Sequence, residues 1–318
     1  MRTTAPRFLP ILRTTRRVAI AAFAVAGGLA LSSCATFSRN SDAAVVNGTE
    51  IPRDRLESFI EEFAANQQLP LADGVVQLED ARNLLAGMIK ANAYTTFLRE
   101  QGKPLTDAQR NSVRDQLDGG GIENLSKELQ AVIIEVNAAT EAINEIGAPS
   151  DAAIEKLYAE RPSLTGAMCA SHVVVKKKET AEKVLSVLAK GAKFADVAKK
   201  YSIEPAAKTS GGALMGQSED GATNPCMSIL EYQQNFDPAF TRGAIAARAG
   251  IPYGPVQSSF GWHVILLAPW DAVKGDVLSL VKAEPGPNLA TGWLANAEIT
   301  IDPAYGRWDA ATGTIAAS

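Results

Sequence analysis

The chain has 318 residues, with 31 lysines and arginines against 35 acids, a formal net charge of −4 and a hydrophobic content of 46%. A mildly acidic protein with no lysine- or arginine-rich stripe is a poor candidate for nucleic acid, and beyond residue 34 no apolar stretch is long enough to span a bilayer. The length accommodates two modest domains.

Residues 1–33 read as an export signal. Arg2, Arg7, Arg13, Arg16 and Arg17 precede an apolar run over 18–31, which is short of the ~20 residues a spanning helix needs. Leu31-Ser32-Ser33-Cys34 resembles a bacterial lipobox. By that resemblance Cys34 is the lipidated first residue of the mature chain, anchored on the outer face of the cytoplasmic membrane. Arg16-Arg17 is loosely similar to a twin-arginine signal, so both export routes stand open. Residues 34–42 form a polar tether.

A helical region is predicted over 43–162. Asn47-Gly48 is a hairpin-type turn between the apolar run 43–46 and Thr49-Glu50-Ile51. Pro52 opens a helix in which Leu56, Phe59, Ile60 and Phe63 recur at helical spacing. A longer helix over 78–101 carries Leu85, Met88, Ile89, Tyr94 and Leu98. Thr106 has capping character before a helix over 108–117, which Gly119-Gly120-Gly121 ends, and two more helices lie near 125–146 and 150–158. The region holds no histidine and no catalytic cluster.

Pro162 and Gly166 mark a boundary, after which the pattern becomes α+β. A strand over 167–176 precedes helices over 179–188 and 194–201. A segment at 211–215 follows, then an irregular stretch to about 231. A helix near 238–247 and a strand pair at 255–256 and 262–267 close a domain spanning 166–270. Residues 271–318 read as a C-terminal extension with a short helix over 276–282 and a strand over 298–301.

The chain has only two histidines, His172 in Ser171-His172-Val173-Val174-Val175 and His263 in Phe260-Gly261-Trp262-His263-Val264-Ile265. Both runs are β-branched and read as strands. Between them lie Glu204, Leu214 and the pair Phe236 and Phe240. Two imidazoles on paired strands, an acid and an apolar pocket suit a neutral, proline-containing segment. Taken singly each is ordinary: phenylalanines at i, i+4 are commonly core, and an acid before Pro205 is commonly a solvated turn residue. No Gly-x-Ser-x-Gly elbow, P-loop or His-Glu-x-x-His occurs, which weakens hydrolase and NTPase readings. Cys169 and Cys226 are a candidate disulfide in an exported protein. Cys169-x-x-His172 is alternatively half a zinc set, although residues three apart on a strand point to opposite faces. No metal and no cofactor are expected.

Residues 168–268 resemble the parvulin-type peptidyl-prolyl isomerases. The resemblance rests on Ser171–Val175, Phe194-Ala195-x-x-Ala198-x-x-Tyr201-Ser202, Gly211-Gly212-x-Leu214, Phe236-Asp237-Pro238-Ala239-Phe240, Gly254-Pro255-Val256 and Phe260–Ile265. With the lipobox and Val45-Val46-Asn47-Gly48 leading into a helical region, the whole is similar to the SurA- and PrsA-like extracytoplasmic foldases. The resemblance implies an FKBP-like, antiparallel-rich sheet beside a helical, chaperone-like domain. It implies that His172 and His263 are the paired histidines at the base of the cleft, with Glu204 where the family has Asp or Cys. Leu214, Phe236 and Phe240 would line the proline pocket, with Phe260 beside His263. The chain departs from the family at Ala213, where an acid is usual, and in the inserted segment 217–231. The implied function is a membrane-anchored prolyl isomerase and foldase, acting on unfolded or proline-containing exported polypeptides. The alternative is a non-catalytic holdase with a degenerate parvulin domain.

Overall fold

Asn47 and Gly48 take left-handed backbone conformations, φ 45° and 80°, the pair of positive angles that a two-residue hairpin turn requires. They join β1 (Asp42–Val46) to β2 (Thr49–Pro52) in this computed structural model, which describes residues 41–66, 77–217 and 223–317. The export signal, Cys34, most of the tether and residues 218–222 of the insertion lie outside the described residues. α1 (Arg53–Ala65) follows the hairpin directly and buries Leu56, Phe59 and Ile60. α2 (Leu78–Glu100) is the long central helix. α3 (Asp107–Leu117) starts from a capping box between Thr106 and Gln109. Ser126 and Ser150 accept amide hydrogen bonds at the starts of α4 (Lys127–Asn144) and α5 (Asp151–Glu160).

The boundary at Pro162–Thr165 is a 3-10 turn ending on Gly166 at φ 76°. A Cβ there would come 2.0 Å from the carbonyl oxygen of Asn288, so both the angle and the close approach require glycine. Beyond it come β3 (Ala167–Met168), β4 (Ala170–Val175), α6 (Lys178–Ala189), α7 (Phe194–Tyr201) and α8 (Pro205–Ser210). The inserted segment holds β5 (Gly216–Gln217), β6 (Thr223–Asn224), β7 (Met227–Ser228) and α9 (Ile229–Asn235). α10 (Pro238–Ala246), β8 (Tyr253–Ser258) and β9 (Gly261–Leu267) complete the unit. The segment 217–231, read as irregular, is thus partly ordered: Ser228 and Glu231 form the capping box that opens α9. α8, absent from the sequence reading, opens on Pro205 at its first turn, where the missing N–H costs no hydrogen bond.

β4, β9 and β8 form an antiparallel sheet in that order, with His172 opposite Ile265 and Val174 opposite His263. Side chains alternate across it. Val173, Val175 and Val264 pack against Val184, Val197 and Ala198 of α6 and α7, while Ile265 and Leu267 pack against Phe240, Ala244 and Ile245 of α10. Period two therefore puts His172 and His263 on the α10 face together. Cys169 and Cys226 form a disulfide that ties the β3–β4 junction to β7. The thiol that Cys169-x-x-His172 would offer to zinc is consumed there, and among the described residues no cluster of three His, Cys, Asp or Glu could hold a metal.

Residues 271–318 are no appendage. They form α11 (Trp270–Ala283), α12 (Pro285–Ala295), β10 (Ile299–Ile301), β11 (Arg307–Asp309) and β12 (Thr314–Ala316). Val273, Val277 and Val281 recur every fourth residue and bury one stripe of α11, so the predicted short helix is one part of a longer element. β10 pairs with the outer edge of β1, Ala44 opposite Ile301, and covers an edge the hairpin alone would leave open. Asp302 ion-pairs with Arg53, and the Arg82 Nε donates to the Tyr305 carbonyl at 2.7 Å. Ile301, Tyr305 and Ile315 share one core with Leu56, Phe59 and Leu85. Replacing Ile301 with alanine is expected to cost about 2–5 kcal/mol in a urea unfolding titration. A loss under about 0.5 kcal/mol, the size of an ordinary surface change, would instead mark the tail as dispensable.

Candidate active site

The α10 face of the sheet carries one continuous hydrogen-bonded row. Glu204 Oε2 lies 2.9 Å from His172 Nε2, the two Nδ1 atoms of His172 and His263 lie 3.2 Å apart, and Ser258 Oγ lies 2.6 Å from His263 Nε2. Both imidazoles are buried, and their rings stack at 5.4 Å between centroids. Burial pushes the His172 imidazole below its ordinary value, and the Glu204 carboxylate only partly opposes this. Burial, reinforced by the neighbouring His172, lowers His263 to about 4. Both rings are therefore neutral at pH 7.

Neutrality leaves one consistent set of tautomers. A carboxylate only accepts, so His172 Nε2–H donates to Glu204 and its Nδ1 must accept. His263 then donates Nδ1–H to His172, and its Nε2 accepts the Ser258 hydroxyl proton. The Ser258 oxygen in turn accepts the Phe260 amide at 3.1 Å. Each member fixes the orientation of the next.

Local structure brings these groups into line. The Ile203 amide donates to the Val174 carbonyl at 2.9 Å, which carries Glu204 across the end of α7 to His172. Segment 211–214 runs along the free edge of β4: the His172 amide donates to the Gly212 carbonyl at 2.8 Å and the Leu214 amide to that of Ala170 at 3.0 Å. At Gly212, φ is 91° and a Cβ would lie 2.6 Å from the His172 carbonyl oxygen, so only glycine allows this approach. Asp237 caps α10 by accepting the Ala239 amide at 2.8 Å, and its other oxygen accepts the Ser259 hydroxyl at 2.7 Å. Burial alone would raise the Asp237 carboxyl. The hydrogen bonds from Ser259 and from the amides of Ala239 and Phe240 outweigh burial and hold the group below its usual range.

Above the histidines opens a cleft of about 200 Å³ lined by His172, Glu204, Leu214, Asn235, Phe236, Asp237, Phe240, Phe260 and His263. Phe240 stands edge-on to both imidazoles, at 5.5 Å from His172 and 5.2 Å from His263, and stacks on Phe236 at 5.6 Å. Phe260 is 66% exposed at the rim. All seven sequence-derived cleft residues thus surround one space. Ser258, Asp237 and Asn235 were missed as lining or network residues. For Ser258 the available signal was its place opposite Gly261 across a tight turn, which extends β8 beyond the predicted 255–256.

Residues 161–268 match the family model described as the PPIC-type PPIASE domain. The foldase protein PrsA of Clostridium botulinum (strain Okra / Type B1) is 32% identical over 138 residues, covering 41% of this chain and 37% of that protein. PrsA of Caldanaerobacter subterraneus is 32% identical over 135 residues, covering 41% of this chain and 40% of that protein. The chain spans less than half the length of these curated relatives. Among solved structures, Bacillus subtilis PrsA aligns with a TM-score of 0.28 and 18% identity over 81% of this chain and 94% of that one. A SurA-like chaperone of Campylobacter jejuni aligns with a TM-score of 0.26 and 22% identity over 77% and 92%.

Stability should report the buried neutral pair. A histidine held below its ordinary value of 6.5 binds its proton more readily in the unfolded chain. Its contribution is present above about pH 6.5 and is lost as pH falls toward 4. Urea midpoints are expected to drop across that window, and His263→Gln is expected to flatten the drop. An unchanged slope in the variant would show that His263 titrates normally.

Proposed function

Residues 161–268 form a PPIC-type parvulin domain, and from that premise we propose that the chain is a peptidyl-prolyl cis-trans isomerase and foldase for exported polypeptides. The observation that carries the reading is the neutral, hydrogen-bonded histidine pair at the floor of an aromatic cleft. Rotation about an X–Pro bond faces a barrier of about 18–20 kcal/mol, yet no bond breaks, so neither a nucleophile nor a Lewis acid is required. In the twisted amide the nitrogen loses resonance and the carbonyl oxygen carries less charge. A site that removes water and offers no buried cation favours that less polar state. Phe240, Phe236 and Leu214 grip the prolyl ring and orient the amide. His172 and His263 form a neutral, rigid floor, and Glu204 and Ser258 hold its tautomers. Phe260 closes over the bound segment from the rim.

Phe240→Ala should lower kcat/KM toward X-Pro peptides by about tenfold or more, a loss of at least ~1.4 kcal/mol in transition-state binding. Glu204→Gln, which retains an acceptor oxygen for His172, should lower it by less than about threefold, since ~0.6 kcal/mol is the scale of a weakened neutral hydrogen bond. Protease-coupled or NMR exchange assays read both, with stability measured alongside. A well-folded domain that accelerates no X-Pro peptide would leave the non-catalytic holdase reading in its place.

The N-terminal unit and the tail supply the foldase part of the reading. Two clefts, of about 310 Å³ beside Ile51, Met88 and Val132 and about 500 Å³ beside Phe63, Leu117 and Ile122, offer apolar walls to unfolded segments. Attachment to the outer face of the cytoplasmic membrane rests on Cys34. No helix of the described residues is long and apolar enough to cross a bilayer. A single acyl chain binds only marginally, so stable anchoring calls for at least two. Cys34→Ala should abolish fatty-acid labelling and release the protein from the membrane fraction. Labelling that survives the substitution would exclude Cys34 as the anchor.

A further inference from the structure

A second cavity of about 200 Å³ lies where α9 meets the C-terminal hairpin and shares no lining residue with the histidine cleft. α2 contributes Lys90 and Tyr94 to it, α9 contributes Leu230, α12 contributes Leu294, and β11 contributes Trp308. The junction is pinned, because the Gln233 side chain donates to the Ala310 carbonyl at 2.8 Å. Among the lining residues Lys90 is the sole charge. No ion pair or hydrogen bond engages its ammonium among the described residues. The hairpin's own carboxylate, Asp309, is held by Arg242 at 2.5 Å and by the Ala311 amide at 3.0 Å. Burial lowers the Lys90 pKa, and no carboxylate pulls it back.

A cation partly withdrawn from water without a counter-charge is unfavourable, and an anion seated beside it would offset part of that penalty. Leu230, Leu294 and Trp308 form one apolar side of the cavity, beside the uncharged polar Gln233, Thr291 and Thr312, and Leu230 stands 53% exposed. A space of this size admits about one residue. An internal glutamate brings a carboxylate without a separate apolar side chain, and its backbone must leave in two directions. A chain end brings both groups in a single residue and leaves in one direction. We propose that this junction cavity binds the C-terminal residue of a polypeptide, its α-carboxylate on Lys90 and its apolar side chain against Leu230, Leu294 and Trp308. The inference does not depend on the isomerase reading.

The test uses the full chain and the NMR signal of the Trp308 indole N–H, assigned by Trp308→Phe. N-acetyl-Ala-Leu with a free carboxylate should shift that signal saturably and bind roughly tenfold or more tightly than its C-terminal amide, the scale of one hydrogen bond to a charged group. Lys90→Met should bring the acid down to the affinity of the amide, Lys90→Arg should retain the difference, and added salt should shrink it. Equal affinity of acid and amide, or no saturable shift with millimolar acid, overturns the proposal. So does N-acetyl-glutamate amide binding as well as the free-acid peptide. Should Lys90→Met not fold, the comparison of acid, amide and glutamate probes on the unaltered chain decides the matter alone.

Discussion

The architecture of the 161–268 unit depends on keeping two imidazoles buried and uncharged. A buried ring nitrogen left without a partner costs about 1–3 kcal/mol, and a charged imidazolium in the same place would cost more. The structure meets that demand with a row in which every donor has an acceptor: Ser258 to His263, His263 to His172, His172 to Glu204. The row needs β4 and β9 in one particular register, because a slip of one residue would move one histidine to the α6–α7 face. It also needs segments 202–204 and 211–214 docked on β4, since these deliver Glu204 and Leu214. Sheet pairing and site chemistry are therefore one constraint.

The aromatic wall touches that row through Phe240 and has supports of its own. Phe236 follows α9 and packs against Tyr232 at 4.9 Å, while α9 is reached through β7 and the Cys169–Cys226 disulfide. The loop closed by the disulfide spans 57 residues, so on the chain-entropy account the bond contributes on the order of 4 kcal/mol. Asp237 then links the start of α10 to the β8–β9 turn through Ser259, which sets Phe260 at the rim. The insertion, a departure from the compact family pattern, thus leads through α9 into the cleft wall at Asn235 and Phe236.

The two halves of the molecule also share structure. The tail returns from β9 through α11 and α12 to pair β10 with β1, and Tyr158 of α5 donates to the Ala268 carbonyl at 2.8 Å beside the end of β9. Arg242 of α10 reaches Asp309 of β11. Helical core, parvulin unit and terminal hairpin meet at the Lys90 cavity, which no single segment of sequence could have displayed.

Local patterns determined much of this protein by themselves. Helical spacing of Leu56, Phe59 and Ile60, the Asn47-Gly48 turn and the β-branched runs around His172 and His263 each encode their element through nearest-neighbour sterics and period. The ordered motifs from Ser171 to Ile265 pointed to the cleft through their resemblance to the parvulin-type isomerases. Other features depend on approach between distant segments. The capping box at Ser228 was legible in principle, yet a helix of seven residues has too little period to announce itself. That β10 would cover β1, that Ser258 would terminate the histidine row, and that Lys90 would be partly withdrawn from water without gaining a counter-charge were decided only in three dimensions. In each case the deciding quantity was a contact or a burial between residues that carry no local trace of one another.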